Sequence, residues 1–594
     1  MKLSDYVAQF LVEQGVKHVF GITGGAIVHT FDSIAKNKEI SYICPQHEQA
    51  AAMAADAYSR ITGNLGVALA TSGPGASNLV TGVGCAHFDS IPTLFITGQV
   101  ATFRLKRENA VRQLGFQEIE TVNMFKPVTK YAVLVDDPKR IRYELEKAVY
   151  LAKSGRPGSV LVDVPDDVQR AEIEPAELES FISSPEIVDT EKLKKQIDES
   201  INLISEAKRP VVILGAGVKL GKAQEKAKQF VEKLNFPAAL TWATLDMFPK
   251  NYVLNAGGFG IASPRFGNFA VQNSDLIIAL GARLDTHKTG SPFSSFAREA
   301  KKIVLDIDES ELQILQQYGM NLDISINADV NDFFNIINEK IDEIKTQDVS
   351  EWIDRIKSWK KRYPVCSPQY YEQTDGVNSY VLMDALSKES SEGDIVITDA
   401  GGTVAQTMQG YGIRKKQTLI TAFAYSPMGY SLPASVGASF ASKNQNVICV
   451  IGDGGIQMNI QELATIAKHN LPIKIFVINN SGYGMIRQTQ DDWLVSRYEA
   501  SCTEKGISIP DFIKIAEAYG LEAAEIVNHR EINQKIKSVL ETEGPVLCDV
   551  RVSEKQRTVP MLKYGRPIED ANPLLDRKEF LENMIVKPMD SSLK

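Results

Sequence analysis

The sequence predicts an α/β protein made of three doubly wound parallel-sheet domains. Short apolar runs alternate with helix-like stretches along the chain, for example GVALAT at 66–71 after HEQAAAMAADAYSRITG at 47–63. Strands that are buried on both faces and separated by helices are typical of parallel sheets. A chain of 594 residues is also longer than one hydrophobic core usually supports. We therefore expect three separate cores.

Two polar, charged stretches divide the predicted units. They resemble linkers in composition, and the chain ends in a polar segment with several prolines. The expected divisions are an N-terminal domain at 1–170, a linker at 171–195, a central domain at 196–340, a linker at 341–375, a third domain at 376–553 and a C-terminal tail at 554–594. We expect the tail to wrap over the surface or over an active site.

Composition excludes several classes of protein. The net charge is -9 at pH 7, which argues against nucleic acid as a partner because phosphate binding needs a basic surface. No apolar run reaches the roughly 18 residues of a membrane span, and the amphipathic start lacks the features of a signal peptide. The six cysteines are scattered without a CxxC motif, which favours reduced thiols and a cytoplasmic location.

The strongest chemical signal lies in the third domain. Asp453 follows a predicted buried strand within IGDGG at 451–455, and the next predicted strand ends in the pair Asn479-Asn480. Ligands bind at the carboxyl edge of parallel sheets, where both of these segments fall. Carboxylate and amide oxygens suit Mg²⁺ that bridges phosphates, while glycines let backbone N–H groups approach an anion. We therefore expect a metal and diphosphate site here.

This pair of motifs resembles the thiamine diphosphate signature, which implies the three-domain fold of thiamine-diphosphate enzymes. The resemblance implies that Asp453, Asn480 and the carbonyl of Gly482 bind Mg²⁺. Met428 matches the bulky residue that bends the cofactor in this family. The other positions implied to contact the cofactor in this domain are Gly401, Gly402, Thr403, Gly454, Gly455 and Met485.

One carboxylate in the first domain acquires a role through this resemblance. Taken alone, Glu48 is a helix-start carboxylate that the helix dipole stabilises. In thiamine diphosphate enzymes, a glutamate at this position hydrogen-bonds the aminopyrimidine ring and activates the cofactor. The family also implies that Glu48 and Asp453 meet from different protomers. We therefore expect a homodimer or a homotetramer.

Further stretches resemble acetolactate synthase large subunits, from about residue 3 to about residue 550. They include FGITGGAIVHTFD at 20–32 and TSGPGASNLVTGV at 71–83. Phe116 and Gln117 match positions in the substrate pocket. The positions that match the loop over the cofactor ring are Gly24, Gly25 and Ala26. The family also binds FAD in the central domain, and the matching positions are Arg156, Gly215, Ala216, Gly217, Thr241, Gly281, Arg283, Asp306 and Asp329.

The sequence departs from the family where the acceptor carboxylate is held. The family loop ends in an arginine, whereas GARLDTH at 281–287 ends in His287. A neutral imidazole carries no charge and cannot donate two parallel hydrogen bonds to a carboxylate, as a guanidinium does. Asp166 replaces a family lysine, and Thr489 replaces a tryptophan that sets acceptor preference in the family. The alternative is that another cation, such as Arg487, holds the acceptor carboxylate.

An insertion at 101–114 adds basic residues that we expect near the site entrance, namely Arg104, Lys106, Arg107 and Arg112. These departures favour a carboligase that decarboxylates pyruvate and transfers the two-carbon unit to a ketone or a nucleotide-linked keto sugar. Gln117 and His287 are then candidates for orienting the acceptor or moving protons, since an ordinary imidazole titrates near neutrality. The alternatives are acetolactate synthesis from two pyruvates, a flavin-dependent pyruvate oxidase and a non-catalytic relative.

Overall fold

The structure is a computed structural model that describes residues 1–183, 189–442 and 445–593. It contains three six-stranded sheets, and neighbouring strands within each sheet run parallel. Helices lie between successive strands along the chain. The predicted α/β class with three parallel sheets is confirmed.

The first sheet belongs to the N-terminal part of the chain. Its strands are β1 (His18–Gly21), β2 (Ser41–Ile43), β3 (Gly66–Ala70), β4 (Thr93–Gln99), β5 (Tyr131–Leu134) and β6 (Ser159–Pro165). Its helices are α1 (Leu3–Glu13), α2 (Val28–Lys36), α3 (Glu48–Thr62), α4 (Pro74–Asn78), α5 (Val80–Phe88), α6 (Thr121–Phe125), α7 (Ile141–Lys153) and α8 (Asp166–Gln169). The order across the sheet is β2-β1-β3-β4-β6-β5. Every residue of β3 and β4 is buried, as expected for strands covered on both faces.

The second sheet forms the central domain. Its strands are β7 (Pro210–Leu214), β8 (Ala238–Leu240), β9 (Asn255–Gly258), β10 (Leu276–Leu280), β11 (Lys301–Asp306) and β12 (Ile324–Asn327). Its helices are α9 (Thr190–Glu206), α10 (Ala216–Leu220), α11 (Gln224–Leu234), α12 (Arg265–Gln272), α13 (Thr286–Thr289), α14 (Glu309–Gln317), α15 (Val330–Lys340) and α16 (Ser350–Arg362). The order β12-β11-β10-β7-β8-β9 is the arrangement of dinucleotide-binding sheets.

The third sheet repeats the strand order of the first. Its strands are β13 (Ile395–Thr398), β14 (Thr418–Ile420), β15 (Val447–Gly452), β16 (Ile473–Asn479), β17 (Glu522–Ile526) and β18 (Val546–Arg551). Its helices are α17 (Ser379–Glu389), α18 (Gly401–Gly410), α19 (Ser431–Ala441), α20 (Asp453–Ile456), α21 (Glu462–Lys468), α22 (Gly484–Leu494), α23 (Phe512–Tyr519) and α24 (Ile532–Glu541). The order is β14-β13-β15-β16-β18-β17.

Within each sheet lies a point where the chain reverses its direction of winding. In the first and third sheets this point lies between the first and third strands, which are β1 and β3 or β13 and β15. In the central sheet it lies between β7 and β10. Ligands bind in the crevice at such a point, outside the carboxyl ends of the strands. The fold therefore indicates one candidate binding crevice per domain.

The predicted linkers and tail pack more closely on the central domain than their polar sequences suggest. The segment 341–375 contains α16, whose buried Trp352 and Trp359 join the central hydrophobic core. The last helix, α25 (Arg577–Asn583), buries Phe580 in the same core. These tryptophans and the phenylalanine are spaced among charged residues, so the sequence pattern does not distinguish them from linker residues. Part of the first predicted linker, 184–188, lies outside the described residues.

Two further expectations concern the whole chain. All six cysteines are free, in agreement with the expected reduced thiols. Among the helices of the described ranges, we find none with the length and apolar content that crossing a bilayer requires.

The first and third domains of the chain are joined by the packing of α3 on α19. A Cβ on Gly437 of α19 would lie 2.0 Å from the carbonyl oxygen of Ala54 on α3, so the helices approach at backbone distance. The alanine-rich sequence of α3 permits this approach. Next to it, Arg60 binds Asp56 at 2.9 Å and Asp89 at 2.8 Å, and all three side chains are buried. Asp89 also accepts the backbone N–H groups of Phe423 and Ala424.

We expect Arg60→Leu to destabilise the protein strongly. The substitution leaves two carboxylates buried without their cation, which typically costs about 3–5 kcal/mol in the free energy of unfolding. The measurement is the midpoint of thermal unfolding. Lys36→Ala removes an exposed ion pair with Asp32 and is the control, with an unchanged midpoint. Equal midpoints for Arg60→Leu and Lys36→Ala would contradict the structural role of this network.

Candidate active site

Glu48 is the first residue of α3 and is nearly buried, with 9% of its surface exposed. Its Oε2 accepts a hydrogen bond of 2.9 Å from Nδ2 of Asn78, at the end of α4. A Cβ on Gly75 would lie 3.3 Å from Oε1 of Glu48. A Cβ at this position would also lie 2.8 Å from the Thr71 methyl group, so close packing beside Glu48 requires glycine at position 75.

The loop after β1 lies next to Glu48 through Thr71. A Cβ on Gly24 would lie 2.6 Å from Cβ of Thr71, and the backbone N–H of Ala26 donates to Oγ1 of Thr71 at 3.3 Å. The methyl group of Thr71 also lies against Gly75. Gly25 has no atom within 4 Å of its would-be Cβ, so protein packing does not require glycine there. The predicted residues Gly24, Gly25 and Ala26 thus lie at the same crevice as Glu48.

Gln117 also belongs to this group. A Cβ on Gly73 would lie 2.7 Å from the carbonyl oxygen of Gln117, and Gly73 immediately precedes α4. Gln117 has φ +63, and the adjacent Phe116 is 84% exposed. We call the set Gly24, Gly25, Ala26, Glu48, Asn78 and Gln117 the first half-site.

The insertion at 101–114 leads into Gln117, so it borders the first half-site as expected. Two of its four basic side chains are already paired, since Lys106 binds Glu120 at 2.6 Å and Arg107 binds Asp136 at 3.0 Å. Glu118 holds the loop by accepting backbone N–H groups, among them that of Leu114 at 2.8 Å. These two ion pairs leave fewer cations of the insertion available to bind a substrate.

Asp453 begins α20 at the end of β15 and is buried. Its Oδ1 accepts the backbone N–H of Gly454 at 2.7 Å, and its Oδ2 accepts those of Asn480 and Gly482 at 3.1 and 3.0 Å. Desolvation by burial raises the pKa of the Asp453 carboxyl to about 6. A nearby cation would offset the free-energy cost of burying the ionised carboxylate. The loop with the predicted metal ligands Asn480 and Gly482 is therefore anchored directly on Asp453.

Arg487 approaches the same loop from α22 and is 3% exposed. Its guanidinium donates to the carbonyl oxygen of Asn480 at 2.6 Å and lies 3.3 Å from Oδ1 of Asn480. The side chain is engaged with the predicted metal-binding loop. Arg487 is thus a poor candidate for the cation that holds an acceptor carboxylate.

The predicted diphosphate turns lie around Asp453. A Cβ on Gly452 would lie 3.3 Å from Oγ1 of Thr403, and one on Gly401 (φ +67) would lie 3.6 Å from Cβ of Met485. A Cβ on Gly402 would meet no atom closer than 3.7 Å, so the turn is open there.

The neighbouring glycines are packed more closely. A Cβ on Gly454 would lie 2.3 Å from the ring of Tyr483 and 3.3 Å from the Met428 methyl group, and one on Gly455 would lie 2.1 Å from Asp399. Close packing alone therefore requires glycine at both positions. We call the set Gly401, Gly402, Thr403, Met428, Asp453, Gly454, Gly455, Asn480, Gly482 and Met485 the second half-site.

The donor set of the second half-site fits Mg²⁺ and a diphosphate. A carboxylate, an amide oxygen and a backbone carbonyl are hard ligands of the kind that Mg²⁺ prefers. Within the described ranges, no group of three His, Cys, Asp or Glu side chains is arranged to hold a metal, so the Asn480 amide and a backbone carbonyl are needed. In the part of the chain that the structure describes, no hydrogen bond connects the two half-sites directly.

The positions matched to flavin binding gather at the crevice of the central sheet. Gly215 follows β7, Thr241 follows β8 and Gly281 follows β10, while Asp306 ends β11. A Cβ on Gly215 would lie 2.1 Å from the carbonyl oxygen of Gly281, so the two turns pack against each other. The location fits a dinucleotide at the carboxyl edge.

Other matched positions already have partners within the protein. Arg156 binds Asp308 at 2.9 Å and Glu311 at 2.7 Å, and Asp329 caps α15. Ala216 and Gly217 lie in the first turn of α10, and Arg283 (φ +35) lies 3.3 Å from Asp285. The acidic pair around Arg156 would have to release it before it could bind a phosphate.

His287 lies in the short helix α13 with its ring edge against Trp242, at a centroid distance of 4.4 Å. Desolvation, together with the nearby Lys288, lowers the pKa of His287 to about 4. The expectation that this imidazole titrates near neutrality is therefore wrong for the structure. His287 is uncharged at neutral pH because its burial disfavours the imidazolium.

A cleft of about 250 Å³ separates α13, α22 and the tail. Thr489 lines it, and so does Met485 of the second half-site. The tail contributes Met561, Leu562, Lys563, Tyr564, Gly565 and Arg566. The tail thus borders a cleft that also contains Thr489, one of the positions at which the sequence departs from the family.

Two residues at the site carry only a weak signal in the sequence. Asn78 and Thr71 contact the predicted site residues Glu48 and Ala26 across 30 and 45 positions of the chain, whereas Arg487 lies only 7 positions from Asn480. Asn78 and Thr71 lie within the conspicuous stretch TSGPGASNLV at 71–80, which is the only pointer to them.

Comparisons with known proteins agree with this geometry. Residues 1–124 match the family described as "Thiamine pyrophosphate enzyme, N-terminal TPP binding domain", 197–336 match its central domain, and 399–550 match its C-terminal TPP binding domain. The fold and the two half-sites therefore define a thiamine pyrophosphate-dependent enzyme.

Curated relatives narrow the family. The chain is 35% identical to the acetolactate synthase large subunit of Pyropia yezoensis over 94% of the chain and 92% of the relative. It is 34% identical to that of Corynebacterium glutamicum (97% and 91%) and 32% identical to isozyme 1 of Escherichia coli K12 (95% and 96%). The chain belongs to the acetolactate synthase family of thiamine pyrophosphate-dependent enzymes.

Proposed function

We propose that the protein decarboxylates pyruvate with thiamine diphosphate and transfers the two-carbon unit to a carbonyl acceptor. The observation that carries the proposal is the pair of half-sites, with the nearly buried Glu48 held by Asn78 in one and Asp453 anchoring the Asn480 loop in the other. A homo-oligomer in which the two half-sites meet across protomers is part of the proposal. It rests on the resemblance to thiamine diphosphate enzymes, in which the segments that match these two half-sites meet from different protomers.

The residues of the chain have separate tasks in this reaction. Bound thiamine diphosphate would supply the electron sink for loss of carbon dioxide from a 2-oxo acid. Asp453, Asn480 and the Gly482 carbonyl would hold Mg²⁺, and the turn at Gly401 and Gly402 would hold the diphosphate. Glu48 would exchange a proton at Oε1, while Asn78 fixes Oε2.

The names of the relatives favour acetolactate synthesis, in which a second pyruvate is the acceptor. We take this reaction as the first candidate. FAD in the central domain is also part of the proposal, because the matched residues gather at the crevice between β7 and β10. Flavin released by heating the purified protein and identified by its fluorescence would support this part; colourless protein that takes up no added FAD would contradict it.

A larger ketone or a nucleotide-linked keto sugar is the second candidate acceptor. It is favoured by the cleft of about 250 Å³ beside Thr489 and by the uncharged state of His287. An acceptor with a carboxylate would need a cation other than the uncharged His287. Arg487 does not fill this role, because its guanidinium is hydrogen-bonded to Asn480. Lys563 borders the cleft and is only weakly paired with Asp492, at 3.6 Å.

A panel of acceptors tests both candidates. With pyruvate alone, we expect 2-acetolactate.

We also expect Thr489→Trp to lower turnover with bulky ketones by about tenfold or more relative to 2-oxo acids, because the indole would fill the cleft. Thr489→Ser is the control that keeps the space. Without acetolactate the first candidate is wrong, and without any reaction of larger ketones the second is wrong. Oxygen-linked turnover without carboligation would replace both with pyruvate oxidation.

A further inference from the structure

Glu462 is a buried carboxylate to which the proposed reaction gives no task. It is the first residue of α21 and is 0% exposed. Both of its carboxylate oxygens accept the backbone N–H of Gln46, at 3.0 and 3.1 Å, and Oε2 accepts the Thr465 hydroxyl at 2.8 Å. Gln46 belongs to the first domain, so the carboxylate connects two domains. It has no ion-pair partner in the part of the chain that the structure describes.

A second contact lies on the other side of Glu48. Nε2 of Gln49 donates to Oδ1 of Asn459 at 3.3 Å, and Asn459 donates in turn to the carbonyl oxygen of Gly429 at 2.9 Å. The third domain thus holds the chain at position 46 and at position 49. Glu48 lies between the two points, and among the described residues its own carboxylate is held by Asn78 alone. The loop before α3 and the second residue of α3 are thus both held by the third domain.

We propose that Glu462 is a positioning residue for Glu48. It holds the loop before α3 against the third domain, so that the Glu48 carboxylate keeps one orientation toward the crevice of the first half-site. Its action is indirect, through the Gln46 backbone, and it touches neither substrate nor cofactor. The inference rests on the proposed role of Glu48.

The charge of Glu462 gives this contact a pH dependence. Desolvation by burial raises the pKa of Glu462 to about 7, and the backbone N–H donors of Gln46 and His47 and the Thr465 hydroxyl oppose this rise only in part. An ionised carboxylate binds an N–H group more strongly than a protonated one does. The loop is therefore held more firmly above pH 7 than below it.

The surroundings of Glu462 contain few other charges. The titratable and charged residues on the elements packed around it are Cys44 and His47 in the loop, Glu48, Asp56, Tyr58 and Arg60 on α3, Lys468 on α21, and Lys514, Glu517 and Tyr519 on α23. Helix α19 carries none. Because the folded-state pKa is raised, ionisation of Glu462 costs stability: its contribution is largest below the unfolded pKa and is lost as pH rises through 7. The ionised Glu462 carboxylate therefore holds the loop before α3 more firmly, but it lowers the free energy of unfolding.

The first experiment measures the contact itself in the cofactor-free full chain. We compare backbone amide deuterium exchange in the peptide around Gln46 between wild type, Glu462→Gln and Glu462→Ala. We expect exchange at Gln46 to be about tenfold faster at pH 8 in Glu462→Gln, since a charge-assisted hydrogen bond is replaced by a neutral one. Glu541→Gln on the exposed face of α24 is the control. Unchanged exchange in both Glu462 variants would overturn the proposal.

The second experiment measures the consequence for Glu48. The exchange of the C2 proton of bound thiamine diphosphate is followed by NMR from pH 5.5 to 8.5. We expect Glu462→Gln to be about tenfold slower than wild type at pH 8 and nearly equal to it at pH 5.5. A purely structural residue would lower the rate by the same factor at every pH, and that result would overturn the proposal.

The two proposals fail in different ways. If wild type shows no C2 exchange, the proposed function is wrong whatever the deuterium data show. If wild type exchanges normally and Glu462→Gln matches it at every pH, only the role of Glu462 is wrong. Binding of thiamine diphosphate should stay within a few-fold of wild type in the variant, because the second half-site holds the diphosphate.

Discussion

Glu48→Gln should lower the turnover of pyruvate by about 100- to 10,000-fold. The carboxamide keeps the shape of the side chain and its contact with Asn78, but it cannot exchange a proton at Oε1. The affinity for thiamine diphosphate should change only a few-fold, because the expected metal and diphosphate contacts belong to the second half-site. The measurement is pyruvate-dependent release of carbon dioxide, with cofactor binding measured by calorimetry.

Glu39→Gln, at an exposed position of the same domain, is the matched control and should retain full activity. Asn78→Ala should have an intermediate effect, since it frees Oε2 while leaving the charge. If Glu48→Gln retained wild-type turnover, the protein would belong with cofactor-binding relatives that do not use this carboxylate. A large loss of cofactor affinity instead would assign Glu48 to binding.

Asp453→Ala should abolish the binding of Mg²⁺ and thiamine diphosphate at ordinary concentrations. The carboxylate is an expected metal ligand, and it also accepts the N–H groups of Asn480 and Gly482. Residues that merely support metal ligands contribute about 10- to 100-fold in affinity, so a direct ligand should contribute at least about 100-fold. Calorimetric titration with both ligands measures the loss.

Thermal unfolding gives an independent check on Asp453. Ligands that bind only the folded protein raise the unfolding midpoint, and this rise should disappear in Asp453→Ala. Asp453→Asn removes the charge of the carboxylate but keeps the shape of the side chain, so it distinguishes a loss of charge from a loss of packing. Glu517→Gln, exposed on α23, should respond to the ligands like wild type. Wild-type affinity in Asp453→Asn would show that the loop is not the metal site.

Much of the fold follows from local sequence patterns. The runs that form β3, β4, β10 and β15 are mostly apolar and almost entirely buried because both faces of a parallel sheet are covered. The motifs with Asp453 and Asn480 were recognisable because both follow buried strands, and strand ends share an edge.

The remaining features depend on contacts between distant segments. Trp352 and Trp359 stand among charged residues, and only the docked helix shows that they are buried. Desolvation by burial lowers the pKa of His287, and Trp242, which packs against its ring, is 45 positions away in the chain. Glu462 reaches Gln46 across 416 positions. No local pattern encodes such neighbours.

The central claim is that two half-sites from different protomers form one pyruvate-decarboxylating site. Glu48→Gln and Asp453→Ala chains are co-expressed with different affinity tags, and the mixed oligomer is purified on both tags. Carbon dioxide release from pyruvate is then measured with thiamine diphosphate and Mg²⁺. A mixed dimer retains one complete site of two, so about half of the wild-type rate is expected while each variant alone is inactive. A mixed oligomer as inactive as the variants would contradict the shared site, and wild type without carbon dioxide release would contradict the proposed reaction.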